Sequence, residues 1–139
     1  MKREIKFRGK LTGETLPLGL NKGDWWTGFY YEDLHCGEWK SFIKCGELDL
    51  GVDKETVGQF TGLLDKNGKE IYEGDIIRSY DSENNPIIHS ISWDNKKACY
   101  VATMLQYPLL GGSIDKGWID EFEKEVIGNV FDNPELLKT

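Results

Sequence analysis

The stretch Gln59 to Tyr80, QFTGLLDKNGKEIYEGDIIRSY, decides how the rest of the chain is read. Two short apolar segments, Gln59 to Leu64 and Lys69 to Tyr72, flank Asp65-Lys66-Asn67-Gly68. Asn67-Gly68 accepts the positive φ angles of a tight hairpin, so the stretch is expected to fold back on itself. A second break follows at Tyr72-Glu73-Gly74-Asp75, where Gly74 tolerates conformations closed to other residues and Asp75 can accept from neighbouring amides. Ile76 to Tyr80 then starts a new strand. With Ile87 to Trp93 and Ala98 to Leu105 it has the rhythm of a small SH3-like barrel, although periodicity alone leaves other antiparallel meanders open. The expected fold is mainly β. It comprises an antiparallel SH3-like barrel, a β-rich N-terminal extension and short terminal helical turns.

Three stretches, EIKFRG near the start, QFTGLLDKNGKEIYEGDII in the middle and VIGNVFDNPELL near the end, together resemble the YopX family of phage and prophage proteins. The connecting segments Leu11 to Val57 and Asp81 to Glu125 carry no such signature. The resemblance implies a mostly β protein of a phage or integrated prophage, acting in the bacterial cytoplasm. It implies no activity and no catalytic residues.

The 139 residues fit one domain, 1–139, with N-terminal strands and a hairpin over 1–57 and the central hairpin and barrel over 58–139. Hydrophobic residues at 39% with 12% aromatics, in short segments divided by glycines, favour folded β structure over disorder. A net charge of -7 disfavours general nucleic-acid binding, which depends on cations neutralising phosphates. The charge is uneven, with Lys2, Arg3, Lys6, Arg8 and Lys10 in the first ten residues. No apolar run reaches signal-peptide or membrane-spanning length, so a soluble, intracellular protein without membrane association is expected. Cys36, Cys45 and Cys99 form no CxxC pair and fit reduced, small buried thiols. His35, Cys36, Cys45, His89 and Cys99 show no metal-ligand spacing, and neither a metal nor a cofactor is expected.

Ile5 and Phe7 alternate with Lys6 and Arg8, as a half-buried strand with a basic wet face requires. An aromatic concentration follows at Trp25, Trp26, Phe29, Tyr30 and Tyr31. Trp25 and Trp26 would point to opposite sides of a strand. Core packing accounts for most of these rings. The candidate binding set, for a ligand or a partner, is Lys6, Arg8, Trp25, Trp26 and Tyr30. A further hairpin has its tip near Gly37, and Gly46 to Glu55 permits a short edge strand.

Asp65, Lys66, Lys69 and Glu70 read as solubilising turn residues. Glu73 and Asp75 suggest paired carboxylates, yet the turn itself explains them. His89 lies on the more apolar face of its strand, as a satisfied, semi-buried histidine. Gly111-Gly112-Ser113 reads as a flexible connection, and Trp118, Ile119 and Phe122 permit a short helix. Val126 to Phe131 is expected as a final strand, with a bulge or close approach at Gly128. Asn133 then serves as N-cap and Pro134 as the first residue of a terminal turn.

These readings favour a noncatalytic accessory protein that works by association, as a homo-oligomer or with a host or phage protein. One alternative is a nucleic-acid-binding barrel using the basic first strand and the tryptophans. An acidic surface imitating DNA stays open beside it. Another is a carboxylate-based hydrolase. No catalytic residue is assigned.

Overall fold

A computed structural model describes residues 3–13, 16–109 and 111–138, so Lys2 of the basic cluster lies outside the described residues. The chain divides into two compact units, residues 1–60 and 61–139.

In the first unit, β1 (Phe7–Lys10) pairs antiparallel with β2 (Trp25–His35). β2 pairs in turn with β3 (Glu38–Cys45), and β3 with β4 (Leu48–Gly51). On its other side β1 meets the start of β5 (Gly58–Leu64). Alternation sets the faces: Phe7 and Gly9 stand opposite Gly28 and Trp26, while Arg8 and Lys10 stand opposite Thr27 and Trp25. The first set faces a small core of Leu11, Ile43 and Val52, packed by Phe7, Trp26, Tyr30 and Leu50.

β2 changes partners in mid-strand, bonding β1 as far as Gly28 and β3 from Phe29 onward. Gly28 has φ 155°, and a Cβ there would lie 2.2 Å from the Lys44 carbonyl oxygen. Only glycine lets the two backbones approach this closely.

In the second unit the end of β5 pairs with β6 (Glu70–Tyr72). A five-stranded antiparallel sheet follows, in the order β10-β9-β8-β7-β11. Its strands are β7 (Asp75–Tyr80), β8 (Pro86–Asp94), β9 (Cys99–Met104), β10 (Gly112–Ser113) and β11 (Glu125–Asn129). A short helix α1 (Lys116–Asp120) precedes β11, with the Asp115 carboxylate accepting from the Trp118 amide at 2.8 Å. Ile71, Ile77, Ile91, Ala102, Ile119 and Val126 form the core.

The chain is thus mainly β and antiparallel, as its alternation requires, but the SH3-like barrel is corrected. Among the described residues the strands form two sheets and close no barrel. Strand periodicity is local, whereas closure depends on how edge strands pair. Here β11 returns to β7, and β10 is a two-residue edge.

The central turns hold their expected places with one change of detail. Gly68 takes φ 80° and Gly74 takes φ 88°, while Asn67 is not left-handed. Asp65 N–H donates to the Lys69 carbonyl at 2.8 Å and Gly68 N–H to the Asp65 carbonyl at 3.0 Å. The loop is therefore Lys66-Asn67-Gly68, with glycine alone supplying the left-handed residue. The buried Asp75 carboxylate accepts from the Tyr72 amide at 2.8 Å, closing the second turn.

Other expectations are revised. Gly112 and Ser113 pair with β9 instead of forming a free connection. Cys36 and Cys45 are exposed thiols and Cys99 is half-buried. The bulge at Gly128 is present as a register shift after Val126. Asn133 precedes the terminal 3-10 turn Pro134–Leu137 but makes no side-chain cap; its Oδ1 accepts from the Asn129 amide at 3.2 Å.

Candidate functional site

The register of β1 against β2 separates the five candidate binding residues. Arg8 and Trp25 share the face turned away from the core, with the Arg8 guanidinium 4.7 Å from the Trp25 ring centre. Lys10 adds its ammonium 5.5 Å from the same ring, and Lys6 lies 5.1 Å from the Phe60 ring. Each cation sits over an aromatic face, an arrangement favoured by the ring quadrupole.

Trp26 and Tyr30 lie on the opposite, core-facing side. The Trp26 indole donates to the Ile43 carbonyl at 3.1 Å. The Tyr30 ring packs 5.7 Å from Phe7, and its hydroxyl donates to Glu32 at 2.7 Å. Glu32 also pairs with Lys54 at 3.0 Å. The Tyr30 hydrogen bond, then the Lys54 contact, hold the Glu32 carboxyl below its ordinary pKa. These two rings are packing residues. Alternation predicts the separation of Trp26 from Trp25.

The outer half of the β2–β3 hairpin is exposed on both faces. Every residue from Tyr31 to Lys40 is exposed, yet the segment carries Tyr31, Leu34 and Trp39. Trp39 is 71% exposed and Leu34 54%, and the register sets them opposite one another. On the other face Tyr31 stacks on Phe42 at 5.3 Å, and its hydroxyl donates a short hydrogen bond to Asp49. That bond pushes the Tyr31 pKa up to about 12. Phe29, also 71% exposed, continues the apolar face along β2. Leu34 and Trp39 were absent from the candidate set, because a strand that reads as half-buried gives no sign of leaving its sheet.

The second unit holds a buried polar cluster. His89, on β8, is only 6% exposed, and among the described residues its Nδ1 has no hydrogen-bond partner. This corrects the expectation of a satisfied histidine. Its ring meets the Trp118 ring edge-on at 5.3 Å, and the Lys124 ammonium lies 4.6 Å from Trp118. Burial, and secondarily the Lys124 charge, lower the His89 pKa from 6.5 to about 4. Burial likewise lowers the Lys124 pKa, while its ammonium donates to the Glu121 carbonyl. At neutral pH His89 is uncharged.

Asp65 is not a solubilising residue. It is 6% exposed, and one carboxylate oxygen accepts from the Asn67 and Lys69 amides at 2.8 and 2.9 Å. The other accepts from the Val126 amide at 2.9 Å. The Asp75 carboxylate is likewise occupied by its own turn. Among the described residues no three His, Cys, Asp or Glu side chains are grouped to hold a metal ion. No helix among them is long and apolar enough to cross a membrane.

The class defined by these features is a two-sheet antiparallel β protein whose β2–β3 hairpin exposes large apolar side chains on both faces among charged ones. The chain belongs to the YopX family: the family described as YopX protein matches residues 13–138. The crystal structure of protein EF1440 from Enterococcus faecalis is similar in fold, with a TM-score of 0.50. The two share 21% sequence identity over 99% of this chain and 100% of the other. No curated protein matches the chain.

Proposed function

We propose that this protein is a noncatalytic phage or prophage accessory factor, acting inside the bacterial host by binding other proteins through the β2–β3 hairpin. The observation that carries this reading is the exposure of Trp39 and Leu34, at 71% and 54%, on a segment solvated on both faces. Tryptophan is among the residues that contribute most when an interface buries them, and leaving it in water has no packing benefit for the monomer. Membership of the YopX family supports the phage setting.

The nucleic-acid alternative has less support. The cations that would meet phosphates, Arg8 and Lys10, already lie over Trp25, the ring that would stack on a base. The net charge of -7 opposes a polyanion over longer range.

The test is affinity capture from phage-infected host cells, comparing the natural chain with a Leu34→Ser, Trp39→Ser variant. Discrete protein partners held by the natural chain and lost from the variant support the proposal. Equal capture by both, or capture dominated by salt-sensitive nucleic acid, contradicts it.

A further inference from the structure

The turn of the β2–β3 hairpin fixes which backbone groups point outward from its outer half. Cys36 and Gly37 form a two-residue turn, both with positive φ of 51° and 84°, and His35 faces Glu38. In such a hairpin the flanking pair exchanges hydrogen bonds, and bonded pairs alternate with non-bonded ones from there. Leu34 and Trp39 are therefore a non-bonded pair, and the Trp39 N–H and C=O point away from β2. The same alternation aims the Ser41 carbonyl outward, where it accepts from the Val52 amide at 2.9 Å.

β4 covers this edge of β3 only from Phe42 to Cys45. Alongside the remainder runs a groove of about 390 Å3, lined by Trp39, Ser41, Gly51, Asp53 and Lys54 among others. Outward-pointing amides beside a groove suit an added β-strand.

We propose that the occupant is the same segment of a second copy of this chain. It pairs antiparallel through Glu38-Trp39-Lys40, about a two-fold axis passing between the two Trp39 residues. The inference rests on the hairpin being the contact element, as proposed above. The segment is complementary to itself when reversed: Glu38 falls opposite the second copy's Lys40, and Lys40 opposite its Glu38. Opposite charges in cross-strand positions stabilise pairing, whereas like charges there oppose it. The two Trp39 residues exchange two backbone hydrogen bonds and cover each other's rings.

The outer edge of β2 offers no equivalent match. A two-fold at Glu32 opposes two carboxylates, and at Leu34 the amide that would have to pair already donates to the Asp33 carboxylate at 2.8 Å. A symmetric, isologous contact of this kind closes at two copies. Three paired residues and their apolar neighbours fall below the roughly 1,200 Å2 of a standard interface, so the dimer should dissociate on dilution.

The experiment is sedimentation velocity on the full chain from about 10 μM to about 1 mM, across the range where a small contact assembles. The natural chain is expected to shift from monomer to dimer. Glu38→Lys and Lys40→Glu each place like charges opposite one another, so each variant alone should associate at least tenfold more weakly. An equimolar mixture of the two variants sets opposite charges together again and should recover the dimer. The proposal is overturned if the natural chain stays monomeric throughout. It is equally overturned if either variant dimerises normally, or if the mixture fails to recover. In parallel, capture of host proteins is compared for the natural chain and Trp39→Ser. A monomeric chain with Trp39-dependent capture removes self-pairing and leaves the hairpin as a contact element. A monomeric chain with capture indifferent to Trp39 removes both.

Discussion

The Asp65 carboxylate accepts a hydrogen bond from the Val126 amide at 2.9 Å, joining the central hairpin to a strand 61 residues further along the chain. Its other oxygen holds the Asn67 and Lys69 amides. One buried carboxylate thus closes a turn and anchors β11. Asp65→Ala leaves three backbone donors without this acceptor, and a loss of about 3 kcal/mol is expected. Asp65→Asn should lose less. Urea unfolding of the two variants beside the natural chain checks this, and an unchanged midpoint for Asp65→Ala would contradict it.

His89 gives stability a distinct dependence on pH. Its folded pKa of about 4 lies below the ordinary 6.5, so the unfolded chain binds more protons between those values. The stabilising contribution is present above pH 6.5 and is lost as pH falls toward 4, by roughly 3 kcal/mol at most. His89→Phe should remove this part of the slope. Lys124→Met should move the His89 pKa upward, since the Lys124 charge helps to depress it. Denaturant titrations at several pH values, with histidine NMR for the pKa, measure both effects.

Gly28→Ala is expected to be severe. The added Cβ meets the Lys44 carbonyl oxygen at 2.2 Å and the carbonyl carbon at 2.9 Å, and both of these Lys44 atoms are backbone. A destabilisation of about 3 kcal/mol is expected, because β2 must move away from β3 or twist at the point where it changes partners. Thermal unfolding followed by circular dichroism reads this directly. A variant as stable as the natural chain would show that β2 can be displaced without cost.

Much of the local structure was legible in the sequence. Gly-Asp entry into β7, alternation in β1 and β8, and the separation of Trp25 from Trp26 follow from residue types and a period of two. The larger unread features depend on long-range pairing, while smaller ones, such as the missing Asn133 cap, are local. Asp65 reads as a turn residue because Val126 is distant in sequence, and the Lys124 ammonium beside Trp118 and His89 is set by the approach to β11. The barrel failed for the same reason, since closure belongs to the sheet edges. Arg8 and Trp25 share one face as their alternation allows, Lys6 lies over Phe60, and Trp26 and Tyr30 go to the core.

Exposed hairpin residues should separate association from stability. Trp39 is 71% exposed, so Trp39→Ser should change the unfolding free energy by less than about 0.5 kcal/mol. The same substitution should abolish hairpin-dependent binding. Calorimetric unfolding beside the capture experiment distinguishes this from a folding defect. A large stability loss would mean that Trp39 serves the monomer.

The most direct test of the hairpin as a contact surface is amide hydrogen exchange across residues 31–40 at low and high protein concentration. The outward Trp39 amide should gain protection as concentration rises. The Lys40 amide, directed toward Asp33 by the hairpin register, should change little. A Trp39 amide that exchanges at the same fast rate throughout, with protection appearing elsewhere, would contradict the account.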